Sequence, residues 1–273
     1  MKIGIYFDYV ERGPGKLISN LIKSFEENKI EYLLNDEGDK NIILQSCNRL
    51  NGDLSNCIIG PNICTLPIDN SIVINHDRYN KIIVPSEWVK NLYSRWLPLD
   101  KIEIWPVGID TELFKDYSLE KEYDFLIYYK RRDIQDLNFI INFLTERNFK
   151  FIIIKYGEYD ETHFINSISK SRFGIVIDNC ESQGISVQEM MRCNLPLLVW
   201  DVKEWCDRGD KYKCDATSIP FWDKRCGEIF YSFDKFEMNL DKIINGNYSP
   251  REYILENLSI SESYKKIIDL VSN

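Results

Sequence analysis

Glu181 and Glu189 stand on either side of a Gln-Gly-Ile-Ser step in "ESQGISVQEMMRCNLPLLVW", residues 181–200. The step reads as a helix start near Gly184, where N–H groups lack intrahelical partners and the dipole is positive. The backbone N–H groups of Gln183, Gly184, Ile185 and Ser186 therefore suit an anion such as phosphate. A carboxylate accepts two hydrogen bonds from a vicinal diol, so one glutamate suits a ribose and the other a hexose. Both acids would equally serve as plain complements to the helix dipole. The neighbours have to decide.

Three further loops carry residues of that kind. In "YYKRRD", Lys130, Arg131 and Arg132 end an apolar run. Cations there neutralise a diphosphate, arginine with a bidentate fork, unless they form a solvated basic turn capped by Asp133. In "ERGPGK", residues 11–16, Gly13 and Gly15 follow the first strand. They read as a tight strand-to-helix turn that lets backbone approach a ligand. The loop meets neither the Walker A pattern nor the three-glycine dinucleotide fingerprint, which argues against a nicotinamide oxidoreductase. In "IIGPNICTLP", Gly60-Pro61-Asn62 is a turn signal, with Asn62 a candidate substrate contact. His76, in "VINHDRYN", is placed at a strand end as a candidate base or a structural residue, with Asp77 and Arg78 as a local pair.

The elements that must position these loops alternate. Strands are expected at "KIGIYF", "IEYLL", "NIILQ", "NCIIG", "SIVIN" and "KIIVP". "KLISNLIKSFEENK" has helical spacing, and "SEWVKNLYSRWL" is a helix with Ser86 as N-cap. After "IEIWPVGID", the polar stretch "TELFKDYSLEKEYD" reads as a linker. A second series follows: strands "DFLIYYK", "KFIIIKY", "RFGIVID" and "LPLLVWD", with helices "IQDLNFIINFLTER", "ETHFINSISKS" and "SVQEMMRC" between them. Beyond Pro220 lie an irregular aromatic stretch and then helices to the end. This alternation implies two doubly wound α/β units with parallel sheets. Ligands in such sheets bind at the carboxyl ends of strands, so loops 11–15, 60–65, 128–133 and 180–189 are expected to converge on an interdomain cleft.

Composition removes other classes. With 34 basic and 43 acidic residues the net charge is −9, against a nucleic-acid partner bound by bulk electrostatics. The amino terminus lacks a secretory pattern and no apolar run is long enough for a transmembrane segment, while peripheral membrane contact stays open. The eight cysteines form no C-x-x-C pair and are read as reduced thiols of a cytoplasmic protein. Cys206, Cys214 and Cys226, with two histidines in the chain, are too irregularly spaced for a zinc site.

In their order, "RGPGKLISNLIKSF", "IIVPSEWVKNLY", "IEIWPVGIDTELF", "FLIYYKRRD" and the E-x7-E of "ESQGISVQE" resemble the retaining GT-B-fold glycosyltransferases related to glycosyltransferase family four. The resemblance spans residues 1 to about 200. It implies two Rossmann-like domains across a cleft, at residues 1–117 (acceptor side) and 118–255 (nucleotide sugar), with a helix in 256–273 packing back on the first. By the same resemblance Glu189 binds ribose and Glu181 the donor sugar. The N–H groups of Gln183, Gly184 and Ile185 join Lys130 and Arg132 on the diphosphate. Tyr156 and Gly157 lie near the base, and Gly13 and Gly15 approach the phosphates. It implies no metal and no cofactor beyond the donor, a UDP or GDP sugar, with a glycan or other hydroxyl as acceptor. The chain departs from the family in having Ser182-Gln183 where Gly-Phe is usual. His76 lies only ten residues before Ser86, so Asn62 occupies the place of the family's amino-domain histidine. The alternative is a catalytically silent nucleotide-sugar-binding module.

Overall fold

The computed structural model describes residues 1–8 and 12–272. The chain forms two compact units, Met1–Gly108 with Leu258–Asn273, and Ile109–Asn257.

The first unit is built on a six-stranded sheet in the order β2-β1-β3-β4-β5-β6. Its strands are β1 (Ile3–Tyr6), β2 (Tyr32–Leu34), β3 (Lys40–Gln45), β4 (Leu54–Asn62), β5 (Tyr79–Val84) and β6 (Ile102–Ile104). Every pairing is parallel. A parallel sheet is covered on both faces, which is why its inner strands carry apolar stretches such as residues 42–44, 57–59 and 82–84. Ile3, Ile5, Ile42, Ile43, Ile59 and Ile83 are all fully buried.

Helix α1 (Arg12–Glu27) begins earlier than the expected turn allows, so Gly13, Pro14 and Gly15 form its first turn. Proline is tolerated there because the first N–H groups of a helix have no partner to lose. Glu11 of that loop lies outside the described residues. The expected strand "SIVIN" is instead a short helix, α2 (Ser71–Ile74). Asn70 Oδ1 accepts from the N–H groups of Ile72 at 3.0 Å and Val73 at 3.2 Å. That cap selects a helical turn for an apolar run too short to show a period. α3 (Glu87–Tyr93) follows Ser86, which is its N-cap without a side-chain capping bond.

The second unit carries a parallel five-stranded sheet in the order β13-β10-β9-β7-β8. Its first strands are β7 (Tyr123–Lys130), β8 (Phe151–Lys155), β9 (Ser171–Asp178) and β10 (Leu197–Trp200). An antiparallel hairpin, β11 (Glu204–Asp207) with β12 (Tyr212–Asp215), precedes β13 (Gly227–Phe230). Hairpin and β13 lie where the sequence predicts no strand. The first is polar, and the second is only four residues long. Cys206 and Cys214 occupy non-opposed positions of the hairpin, Cys214 facing Trp205, so they share no face.

The helices of this unit are α4 (Ile134–Glu146), α5 (Glu161–Ser169), α6 (Ile185–Arg192), α7 (Phe236–Asn245) and α8 (Pro250–Asn257). Leu137, Ile140 and Leu144 of α4 share one helical face and pack with Phe125, Ile127, Ile175 and Ile177. Each such buried side chain contributes roughly 1.5–3 kcal/mol over leaving it exposed. Phe164 of α5 meets Tyr128 on the opposite face at 6.1 Å between ring centroids. The last helix, α9 (Ile260–Ser272), returns to the first unit. There Trp105 Nε1 donates to the Ser263 carbonyl at 3.1 Å, and Ser263 Oγ to the Pro106 carbonyl at 2.9 Å.

Candidate functional site

In the second unit, Lys130 ends β7 and Asp178 ends β9, and the two are direct partners in the parallel register. Residues opposed in a parallel pair point to the same face, so ammonium and carboxylate emerge side by side at the carboxyl edge. Lys130 Nζ lies 4.0 Å from Asp178 Oδ2 and pairs directly with Glu181 Oε1. It also sits 4.4 Å from the centre of the Tyr156 ring, which follows β8. Three adjacent strand ends thus surround one ammonium.

Burial governs the charges here. Lys130 is 9% exposed and Asp178 1%. Desolvation pushes the Asp178 carboxyl up to about 7, with Lys130 the foremost of the cations pulling the other way. Desolvation also pulls Lys130 below its usual value, while the Asp178 charge opposes that shift. Asp178 Oδ1 accepts from the Asn179 N–H at 2.7 Å. Oδ2 is buried with no hydrogen-bond partner among the described residues. Reading the sequence missed Asp178. The only signal for it is an acid closing the run "GIVID" opposite a strand that ends in lysine.

Arg132 takes a different place from Lys130. Its Nε donates to Asp136 Oδ2 at 2.8 Å, and Nη1 donates to the carbonyls of Asp178 at 3.0 Å and Trp200 at 2.9 Å. Its guanidinium lies 4.9 Å from the Trp200 ring centre. The residue ties the carboxyl ends of β9 and β10 together. Arg131 is exposed, with φ +50°, and its guanidinium is 5.8 Å from the Tyr156 ring. Gly157 is exposed next to Tyr156.

The helix start falls where the sequence puts it. Gly184 is the N-cap of α6, at φ +80° in the left-handed region that disfavours a side chain. The N–H groups of the first turn have no acceptor within the helix. Gln183 is 5% exposed and bonds into the protein: its Nε2 donates to Gln188 Oε1 at 3.1 Å, and Gln188 Nε2 donates to the Gln183 carbonyl at 2.8 Å. The residue that departs from the expected Gly-Phe pattern therefore braces the helix start with its side chain. Glu189, 1% exposed, lies in the second turn.

A second support lies behind Glu181. Its N–H donates to the Thr217 carbonyl at 3.0 Å. Asp201, just beyond β10, accepts from Thr217 Oγ1 at 2.8 Å and from Ser218 through N–H at 2.7 Å and Oγ at 2.8 Å. Neither Asp201 nor the Thr-Ser pair is singled out by the sequence reading. The acid at the end of "LPLLVWD" is the signal that was available.

In the first unit, Gly13 and Gly15 lie in the first turn of α1, beyond the carboxyl end of β1. A Cβ at Gly13 would meet nothing within 4 Å. Asn62 is exposed at the end of β4, in register with Gln45. The "GPN" turn is thus the last part of a strand. Gly60, at φ +106°, is required there because a Cβ would stand 2.3 Å from the Ile83 carbonyl oxygen. His76 is not at the end of a strand. It opens a turn, His76–Arg78, before β5, whose Tyr79 pairs with Leu54 at the start of β4. Asn62 and His76 therefore lie at opposite ends of the sheet. His76 Nδ1 is 3.2 Å from Asp77 Oδ1.

Among the described residues no group of three or more His, Cys, Asp or Glu side chains is arranged to hold a metal ion. Among them, too, no helix is long and apolar enough to cross a membrane.

No family model matches the chain. No curated protein matches it significantly. Solved structures do resemble it. A lipopolysaccharide outer core galactosyltransferase, WaaB, in its apo form has a TM-score of 0.65 at 12% identity, with 99% of each chain covered. A sucrose-phosphate synthase from Thermosynechococcus elongatus has a TM-score of 0.60 at 10% identity, with 98% of each covered. TarM of S. aureus, solved with fondaparinux, α-GlcNAc-glycerol and UDP, has a TM-score of 0.60 at 14% identity, over 94% of this chain and 59% of that one. Two parallel α/β units with a returning terminal helix, together with these likenesses, establish that this chain has the GT-B fold.

Proposed function

We propose that the protein is a retaining glycosyltransferase related to family four, which moves a hexose from a nucleoside-diphosphate sugar to a hydroxyl acceptor such as a glycan. The observation that carries this is the Lys130–Glu181 pair at the carboxyl edge of the second unit, four residues ahead of the α6 start. A departing nucleoside diphosphate gathers negative charge. A buried ammonium and the N–H groups at a helix start stabilise such charge without reorganising, and no metal is needed. Glu181 would then take donor-sugar hydroxyls and Glu189 the ribose. Tyr156 and Gly157 would lie beside the base. Arg132 would lend its charge while holding the strand ends, since Nε and Nη1 are already engaged.

The first unit would serve the acceptor, with Asn62 at its carboxyl edge. Gly13 and Gly15, in the first turn of α1, would be the glycine-rich ligand-contact loop of that unit. His76, at the other end of that sheet, has no part in this reading. UDP sugars are the first donors to try, since UDP is bound in TarM. A cytoplasmic setting suits a chain with eight cysteines and no C-x-x-C pair.

The test is nucleoside-diphosphate release from a panel of UDP and GDP sugars with simple glycan acceptors, for wild type, Glu181→Ala and Lys130→Ala. Release in wild type that drops at least a hundredfold in both variants supports the reading. Equal slow release by all three rejects it. Binding of UDP without turnover would mark a silent binding module. The anomeric configuration of the product, read by NMR, decides between retention and inversion.

A further inference from the structure

We propose that Asp178 is a positioning residue of the donor site, whose carboxylate holds the Lys130 ammonium at the strand edge and takes up a proton when a nucleoside diphosphate claims that ammonium. The inference rests on the donor-site reading above and adds to it a residue and a proton.

The geometry is that of one cation shared by two acids. Lys130 Nζ contacts Glu181 and stands 4.0 Å from Asp178 Oδ2. The two acids differ in freedom. The Glu181 side chain is 13% exposed and sits in a loop, whereas that of Asp178 is 1% exposed and fixed at the end of β9. A diphosphate drawing Lys130 toward itself can be followed by Glu181 but not by Asp178. The ionised Asp178 would then face the incoming negative charge across a medium of low dielectric, an arrangement that favours its neutral form.

The charged and titratable groups around it agree. From β7 and its following loop, Tyr128, Lys130, Arg131 and Arg132 act on Asp178, and Cys180 and Glu181 lie on its own loop. Arg132 reaches Asp178 through the backbone carbonyl, not the carboxylate. Lys130 is thus the cation nearest to Oδ2, an ion-pair contact at 4.0 Å, and Oδ2 has no hydrogen-bond partner among the described residues. Burial already holds the Asp178 carboxyl near neutrality, at about 7, so a modest change at Lys130 moves its proton within the ordinary working range.

The experiment is calorimetric binding of UDP, and of GDP if UDP fails, to the whole protein between pH 7 and 8.5. Two buffers of different ionisation enthalpy count the protons taken up. Asp178→Asn is the comparison, because it shares the ligand's own ionisation. Asp178→Ser is the second neutral variant should the amide not fold. Wild type is expected to take up on the order of half a proton near pH 7.5, and its affinity relative to the variant should weaken about fivefold across the range. Loss of the proton uptake in a variant that still binds supports the inference. Binding with no proton uptake in wild type, or with the same uptake in the variant, overturns it and leaves the donor site standing. Failure of wild type to bind either nucleotide overturns the donor-site reading and the inference together.

Discussion

The side-chain amides of Gln183 and Gln188 are joined at 3.1 Å, and Gln188 closes the ring by donating to the Gln183 carbonyl at 2.8 Å. Both residues are buried, at 5% and 1% exposed. The start of α6 is thereby fixed from inside. Gln183→Ala removes the donor to a buried acceptor, a change that costs about 1–3 kcal/mol. Urea unfolding should show that loss. The Gln183→Leu/Gln188→Leu double variant should lose less than its two single variants combined, because it removes both ends of the side-chain pair at once and leaves only the Gln183 carbonyl without its donor.

Asp201 anchors the segment that holds Glu181. It accepts from two hydroxyls and one N–H while only 5% exposed. Hydrogen bonds to a buried carboxylate are worth more than neutral ones, so Asp201→Ala should cost on the order of 3 kcal/mol. Glu181 leans on the same segment through the Thr217 carbonyl. The KM for the donor should therefore rise in this variant more than kcat falls. Steady-state kinetics below the melting transition would reveal the split.

Gly184 is held at φ +80°, and the nearest atoms to a built Cβ are Glu181 Cβ and the Ser218 carbonyl oxygen, each at 3.7 Å. Space is adequate, so the cost of Gly184→Ala is conformational, about 1–2 kcal/mol. Gly184→Asn should cost less than Gly184→Val, since asparagine tolerates the left-handed region and a β-branched residue does not. Melting temperatures of the three variants should follow that order.

Much of this architecture is legible in the sequence because its causes are local. Parallel strands covered on both faces read as runs such as "KFIIIKY", and the α6 start reads from Gly184 followed by an amphipathic turn. Lys130 is legible for the same reason, as a cation ending an apolar run. What stays hidden depends on partners far along the chain. Asp178 stands opposite Lys130 because β9 lies beside β7 in one particular register, and no spacing rule supplies that. Arg132 reads from the sequence as a phosphate contact, and its bonds to the carbonyls of Asp178 and Trp200 are not legible there. Short elements fail too: the four residues after Asn70, three of them apolar, fit a strand or a helical turn equally well.

Asp178 makes stability depend on pH in an unusual direction. Its carboxyl is raised from 3.8 to about 7 in the folded chain, chiefly by burial. Between those values the folded state binds the proton and the unfolded state releases it. Stability therefore falls as pH rises from about 4 toward 7, and the loss persists above that. The difference is on the order of 4 kcal/mol at most. Asp178→Asn should unfold at a higher urea concentration than wild type at pH 8, and the advantage should shrink or reverse at pH 5. Equal midpoints for the two proteins at both pH values would mean that the fold does not raise the Asp178 carboxyl.

Arg192 leads to an expectation opposite to the usual one for a buried cation. It is 4% exposed near the end of α6, and Nη2 donates to the Thr111 carbonyl at 2.6 Å. Nε and Nη1 are buried without a hydrogen-bond partner among the described residues. Burial lowers its pKa, and nearby Arg251 adds to the effect. A charge paid for so poorly is replaceable by an apolar side chain of similar length. Arg192→Met should leave stability unchanged or raise it by about 1 kcal/mol, whereas Arg192→Ala should lower it through lost packing. Thermal unfolding of the pair separates the contributions. A Met variant as unstable as the Ala variant would show that the guanidinium itself, through Thr111, holds α6 to the segment that opens the second unit.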